Sequence, residues 1–235
     1  MNQAFYAASV AASQQQLRLN VSANNLANVN TVGFKAEQAQ FADLLYRNWV
    51  GPDNAQLHRG SGSRMIQTAT DFSAGAAAPR AGGQNYAVNG RGFFALRDPQ
   101  TGEVSYTRAG VFHWGSLANG QYYLCDPEGR YVLDQNQQPI LLTGGTEDTY
   151  PVGVFDFVNT DGMQHLGSGR YLPVAKNGPA LAATGTAIHG MVESSNADVG
   201  EEFAKVIEAQ RSYSYVLKMV QTQDEIETTI NGLRG

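Results

Sequence analysis

The stretch Ser22-Ala-Asn-Asn-Leu-Ala-Asn-Val-Asn-Thr-Val-Gly-Phe-Lys35 marks the place where one kind of structure stops and another begins. Before it, Phe5, Ala12, Leu19 and Leu26 recur seven apart, with Ala8, Gln15, Ser22 and Val29 interleaved, the pattern of an amphipathic helix with a small-residue seam. Inside it, Asn24, Asn25, Asn28 and Asn30 bring side-chain amides that compete with the backbone for hydrogen bonds. A helix beginning near Ala4 is therefore predicted to end or bend among them. Gly33 supplies a backbone conformation open to few other residues, and Phe34 is placed to anchor the turn.

The other end of the chain carries a second, longer pattern. Val199, Phe203, Val206, Gln210, Tyr213, Leu217 and Val220 recur at spacings of three and four, and Met219, Ile226, Ile230 and Leu233 continue on a shifted face. This predicts a helix from about Val199 to Leu233, apolar on more than one side. Ser194-Ser-Asn-Ala-Asp198 supplies side chains that cap helix N-termini, and Glu201 and Glu202 suit the first turns.

Between the helices the periodicity changes. Tyr86-Ala-Val, Gly92-Phe-Phe-Ala-Leu-Arg97, Val104-Ser-Tyr-Thr-Arg108, Gln121-Tyr-Tyr-Leu124, Arg130-Tyr-Val-Leu133 and Val154-Phe-Asp-Phe-Val158 read as short strands. Asp98-Pro-Gln-Thr-Gly102, Asp126-Pro-Glu-Gly129 and Asn159-Thr-Asp-Gly162 separate them as turns. The expected fold class is α+β: long N- and C-terminal helices pairing coiled-coil-like, with a central all-β domain. The expected divisions are 1–46 for the N-terminal helix and its turn, 47–85 for an extended connector rich in small and polar residues, 86–191 for the β domain and 192–235 for the C-terminal helix.

Composition narrows function by exclusion. A formal net charge of −5 offers no basic excess for phosphates, so nucleic acid is not an expected partner. The sequence holds no long apolar run, so membrane insertion is not expected. The single cysteine, Cys125, excludes an intramolecular disulfide and a cysteine-built metal site. Met1 to Ala12 lacks the basic start and apolar core of a cleaved signal peptide.

Motifs of chemistry are equally sparse. Asn89-Gly-Arg-Gly-Phe-Phe94 has a GxG but neither the third glycine of a dinucleotide fingerprint nor a following helix, and is read as a tight turn that lets Phe93 or Phe94 pack. His58, His113, His165 and His189 lie apart in sequence, and Asp98, Asp126 and Asp161 fit turns better than a calcium loop or a glycosidase pair. No nucleophile elbow or phosphate loop is present. No catalytic residue, cofactor or metal is expected. Two heptad-like helices at opposite ends of a β chain, one of them apolar on two faces, point instead to self-assembly or docking on other helices.

Four ordered blocks carry a resemblance. Asn25-Leu-Ala-Asn28 with Thr31, Gly33-Phe-Lys35 and Phe41 resembles the N-terminal signature of the bacterial flagellar rod and hook proteins. Val88-Asn-Gly-Arg-Gly-Phe-Phe94 and Tyr106-Thr-Arg-Ala-Gly-Val-Phe112 are similar to that family's central elements. Phe157-Val-Asn159, Asp161-Gly-Met163, Gly167, Gly169 and Tyr171 resemble the element preceding the C-terminal arm. Gly190-Met-Val-Glu-Ser-Ser-Asn196, Glu202, Ala209-Gln-Arg-Ser-Tyr213, Lys218, Thr222 and Asp224 resemble the C-terminal signature. Phe41-Ala-Asp-Leu-Leu-Tyr46 and the polar extension to Gly62 look most like the distal-rod members, with the proximal-rod paralogue as the alternative. Val216 stands where the family usually has Asn, and the stretch between Leu142 and Val154 is shorter than is typical.

The resemblance implies a structural subunit assembling helically into the axial drive shaft that carries torque from motor to hook. It implies export by the flagellar type III apparatus without a cleaved signal peptide, a place in the basal body outside the inner membrane, and other rod and hook proteins as partners, with surrounding ring proteins as further candidates. The residues expected at subunit interfaces are Leu19, Asn25, Leu26, Asn28, Gly33, Phe34, Phe203, Gln210, Arg211, Tyr213, Leu217 and Ile226. The alternative of a different class is a cell-envelope glycan-binding or hydrolysing protein acting through its β domain.

Overall fold

Residues 3–45, 47–50, 56–60, 62–116, 120–142 and 149–233 are described in a computed structural model of the chain. Parts of the expected polar extension from Tyr46 to Gly62, much of the shortened stretch between Leu142 and Val154, the side chain of His58 and the domain ends at Met1 and Gly235 lie outside the described residues. Helix α1 spans Gln3–Ala27 and α2 Val199–Leu233. Between them run β1 (Glu37–Asp43), β2 (Arg47–Val50), β3 (Gln56–Arg59), β4 (Ser63–Thr70), β5 (Ala77–Pro79), β6 (Gln84–Asn89), β7 (Phe93–Arg97), β8 (Val104–Thr107) and β9 (Val111–Ser116). The remaining strands are β10 (Tyr122–Cys125), β11 (Tyr131–Val132), β12 (Val154–Asp156), β13 (Gln164–Gly167), β14 (Arg170–Leu172), β15 (Leu181–Ala182), β16 (Thr186–His189) and β17 (Met191–Glu193). The α+β class stands.

The chain divides into two compact units, one made of 1–27, 37–69 and 198–235, the other of 28–36 and 70–197. In the helical unit, α1 and α2 pack along each other, β1 lies against α1 and pairs with β4, and β2 pairs with β3 from Arg47↔Arg59 to Val50↔Gln56. Residues 3–27 contain no glycine or proline, so nothing local interrupts α1. Asp198 is the N-cap of α2, its Oδ1 accepting from Glu201 N at 2.9 Å. Much of the stretch expected as a connector is thus strand. In β4 the residues pair through backbone groups while burying little, which is why hydrophobic alternation did not reveal that strand.

In the other unit, β7 lies inside an antiparallel sheet of order β13-β14-β8-β7-β11-β10-β9-β6-β16, with β12 also pairing β7 and β15 pairing β12. Its continuous apolar run follows from burial on both faces. Phe94 and Leu96 join Tyr86, Phe112, Leu124 and Val154 on one side, while Phe93 and Ala95 join Tyr106, Phe155, Phe157 and Tyr171 on the other. The turn before β7 puts Gly92 at φ +132°, where an added Cβ would lie 2.6 Å from Val154 Cγ1. The GxG element is a packing turn. The aspartate turns close on themselves: Asp98 Oδ1 accepts from Gln100 N and Thr101 N, and Asp126 Oδ1 from Glu128 N and Arg130 N. Those N–H groups hold the Asp98 carboxyl below its ordinary value.

Candidate assembly sites

α1 ends at Ala27, ahead of the last two asparagines, and the amides there do separate jobs. Asn25 is buried and pairs with one main-chain position: its Nδ2 donates to Glu37 O at 2.8 Å, and its Oδ1 accepts from Glu37 N at 2.9 Å. A side chain that mimics a peptide group thereby binds the first residue of β1 to the last turn of α1. Asn28 organises the following turn, its carbonyl accepting from Thr31 N at 3.0 Å and its Oδ1 from Thr31 Oγ1 at 3.2 Å. Asn24 and Asn30 are exposed.

Past the turn, the β unit contains a buried ionic clasp. Gly33 has φ +68°, its N–H donates to Glu193 O at 2.7 Å, and a Cβ there would lie 2.5 Å from the carbonyl carbon of Arg108. Only glycine fits. Lys35 then enters the interior, where its Nζ donates to Glu193 Oε1 at 2.5 Å and to Ser73 O at 2.6 Å. Glu193 Oε1 also accepts from Gly75 N at 2.8 Å, and its Oε2 from Arg108 Nη1 at 3.0 Å. Arg108 Nη2 donates to Gly90 O at 2.9 Å, and its guanidinium carbon stands 5.5 Å from the Phe93 ring centroid. Asn196 completes the join, accepting from Ala36 N at 2.7 Å and donating to Asp71 O at 2.8 Å.

The three charged side chains are almost without solvent contact. Burial lowers the Lys35 pKa from its ordinary value, opposed by its hydrogen bond to Glu193. One carboxylate bonding two cations and a backbone N–H is close to fully satisfied, which makes such burial tolerable. The clasp therefore joins residues just past α1 to residues just before α2, over a sequence separation of 158.

Within the helical unit, Arg18 meets Glu208 through two hydrogen bonds of 2.8 and 3.3 Å. Beside it, Leu19, Gln15 and Gln16 of α1 face Ala209, Gln210 and Tyr213 of α2 across an apolar notch of about 220 Å³. Small residues allow the approach: Ser22 and Ala209 are buried. α2 has 35 residues against 25 in α1, an excess of about 15 Å at 1.5 Å per residue. From Tyr213 onward it presents Tyr215 (65% exposed), Leu217 (40%), Met219 (68%), Ile226 (47%), Ile230 (52%) and Leu233 (82%) to solvent. Phe203 and Ile207 are exposed upstream.

The structure thus gathers Leu19, Gln210 and Tyr213 at one notch, and leaves Phe203, Arg211, Leu217 and Ile226 on the surface of α2. Leu26, Asn28 and Phe34 are half-buried, while Asn25 and Gly33 are fully engaged inside their own units. Sequence reasoning missed the clasp. Lys35, Arg108, Glu193 and Asn196 each stood inside a quoted motif, and the overlooked signal was one charged residue among apolar and small neighbours in three separate blocks. His165 shares a hydrogen bond with Thr70 and packs on Tyr171, and His189 packs on Tyr86. Among the described residues, no group of three or more His, Cys, Asp or Glu is placed to hold a metal, and no helix is long and apolar enough to cross a membrane.

Three family models match the chain in order. Residues 5–35 match the flagella basal body rod protein model, 87–149 the flagellar hook protein FlgE/F/G D1 domain, and 188–233 the flagellar basal body rod FlgEFG protein C-terminal model. The flagellar basal-body rod protein FlgG of Buchnera aphidicola subsp. Baizongia pistaciae is 32% identical over 242 residues, covering 90% of this chain and 92% of that protein. FlgG of Bacillus subtilis is 32% identical over 252 residues, covering 90% and 91%. FlgG of Caulobacter vibrioides is 30% identical over 271 residues, covering 99% and 100%. Both ends of the clasp lie within matched segments: Lys35 closes the first, and Glu193 and Asn196 open the last.

Proposed function

Because the chain belongs to the flagellar basal-body rod protein family, we propose that it is a structural subunit of the distal-rod type, built into the basal body and passing torque along the axis. The observation that carries this reading is the apolar surface of α2. Covering half-exposed leucine and isoleucine side chains recovers about 1 kcal/mol each, and an array of such contacts holds a filament together. Among the described residues, no second helix is long enough to cover α2 to its end.

In this proposal 1–46 and 192–235 form the axial core, with α1 and α2 extending coiled-coil-like contacts to neighbouring copies, and 86–191 is the outward domain joined through 47–85. The contacts are heterologous, one surface of each copy meeting a different surface of the next, so the array is open and helical. Leu19, Leu26, Phe203, Gln210, Arg211, Tyr213, Leu217 and Ile226 supply them. Asn25, Asn28, Gly33 and Phe34 shape the backbone from which they project. Other rod and hook proteins meet the ends of the array, ring proteins surround it, and the type III apparatus delivers the subunit unfolded and uncleaved. Termini that gain full order only on assembly meet their entropic cost at that step. The subunit acts without catalysis or cofactor.

Electron microscopy of basal bodies from a strain lacking the gene tests the proposal. The expected particles stop short along the rod and carry no hook. Complete rods and hooks in that strain would overturn it.

A further inference from the structure

Residues 33–36 belong to no strand, and hydrogen bonds to two distant stretches hold them in the β unit. One stretch is 193–196. Gly33 N donates to Glu193 O at 2.7 Å, Asn196 N to Phe34 O at 3.4 Å, Ala36 N to Asn196 Oδ1 at 2.7 Å and Lys35 Nζ to Glu193 Oε1 at 2.5 Å. The other is 71–73, where Asp71 N donates to Ala36 O at 2.8 Å and Ser73 O accepts from Lys35 Nζ at 2.6 Å. The sheet secures 71–73 without the clasp, because Phe72 packs edge-on against Phe93 and Tyr171, each ring centroid 5.1 Å away.

The sheet also places Arg108, which directly follows β8 and donates through Nη2 to Gly90 O at 2.9 Å. A formed sheet therefore presents a cation where Lys35 has to enter. Both cations bond the same carboxylate, so docking 33–36 buries the Lys35 ammonium in the field of the Arg108 guanidinium. Burial is the largest influence lowering the Lys35 pKa; Glu193 opposes it, Arg108 adds to the lowering, and Asp71 raises it least. With Glu193 in place the site is neutralised and hydrogen-bonded. Without it, two like charges would share a dry site, a cost that the Ser73 carbonyl and the weaker attraction of Asp71 do not offset.

We propose that Glu193 is a charge-controlled latch: the arm 28–36 docks on the formed sheet only once Glu193 has reached Arg108, because Lys35 is excluded from that site until then. The latch makes completion of the β unit conditional on two stretches 158 residues apart. From whichever end an unfolded chain is delivered, the arm stays undocked until nearly all of the chain has arrived. That use rests on the rod-subunit reading. The latch itself is tested on the purified chain, so either can fail while the other stands.

The test is pulse-labelled hydrogen exchange during refolding of the full chain, read by nuclear magnetic resonance at three amides. Leu124 N bonds Ile140 O and Leu133 N bonds Ala95 O in the sheet, while Asp71 N bonds Ala36 O of the arm and so reports docking through a pair outside 193–196. In the wild type, Leu124 and Leu133 are expected to gain protection before Asp71. Glu193→Gln should slow protection at Asp71 at least about tenfold, with Leu124 and Leu133 within about twofold of the wild type. Lys35→Met removes the excluded charge, so Asp71 should gain protection at least about tenfold faster than in the wild type, although the variant is less stable. The double variant should match Lys35→Met, and these two decide the matter if Glu193→Gln alone does not fold. An unchanged Asp71 rate in Glu193→Gln, slowed sheet amides in that variant, or an Asp71 rate in Lys35→Met no faster than in the wild type would each overturn the latch and leave the clasp as a static contact.

Discussion

Glu193→Gln removes the single anion that faces both Lys35 and Arg108. The two cations lie 2.5 and 3.0 Å from its oxygens, with side-chain exposures of 0% and 2%. Breaking a buried pair by deleting one charge costs about 3–5 kcal/mol, because the remaining charge has neither its partner nor water. Two remaining cations place this substitution at the upper end of that range. Lys35→Met is milder. Glu193 then keeps Arg108 Nη1 and Gly75 N, and Ser73 O, which also loses its bond to Lys35, keeps Asn196 Nδ2, so the main loss is the charge-assisted hydrogen bond to Glu193, about 1.5–3 kcal/mol. In urea titrations of the full chain followed by near-ultraviolet circular dichroism, a slope of about 2 kcal/mol/M converts these into midpoint drops of about 1.5–2.5 M and 0.8–1.5 M. The double variant is expected to lose less than the sum, by more than 1 kcal/mol. Equal midpoints for the wild type and Glu193→Gln, or a larger loss in Lys35→Met than in Glu193→Gln, would refute the clasp as the element joining the two ends of the β unit.

Asn25→Ala removes both bonds to the Glu37 main chain and leaves that peptide group without its partner, so a loss of about 1–3 kcal/mol is expected, seen as faster amide exchange at Glu37. Arg18→Ala breaks a partly exposed ion pair and is expected to cost under about 1 kcal/mol by thermal melting, despite its two hydrogen bonds. Burial raises the Cys125 thiol above 9.0 and the Tyr86 and Tyr106 phenols above 10.0, so the folded state keeps protons that the unfolded state releases. Their contribution is complete below pH about 9 and is lost as pH rises further; Lys35, lowered from 10.5, opposes it. Tyr131 is raised by burial as well, and Lys205 is raised where its bonds to Glu201 and Glu202 outweigh its desolvation, so with five groups against one the melting midpoint should fall between pH about 9 and 11, and a flat or rising midpoint would contradict the balance.

Much of this fold was legible in the sequence, because hydrophobic periodicity reports burial. The period of α1, its end among the asparagines, the capped start of α2 and the strands from Tyr86 to Val158 all follow from side chains that bury or cap. β1–β5 did not follow. Ser63-Arg-Met-Ile-Gln-Thr-Ala-Thr70 forms β4 with a mostly exposed surface, held by backbone pairing that leaves little trace in residue type. The later strands β13–β17 are two to four residues long, too short for a period-two pattern. The exposed residues of α2 were legible as apolar on two faces. The clasp was not, since a lysine, an arginine and a glutamate scattered over 158 positions reveal nothing of their pairing until the sheet brings them together. Asn25 is the instructive case: four amides within seven residues suggested a helix stop, and one of them also serves as a strand's first partner.

The central claim is that other copies of the chain cover the apolar surface of α2. Leu217→Asp tests it most directly, because Leu217 is 40% exposed within its own chain and its loss there disturbs little. A carboxylate at a buried contact costs several kcal/mol at every repeat of the array. Basal bodies imaged from cells carrying only this variant should lack completed rods, while the purified subunit keeps the wild-type β-sheet signal and thermal midpoint. Normal rods from the Leu217→Asp strain would contradict the account.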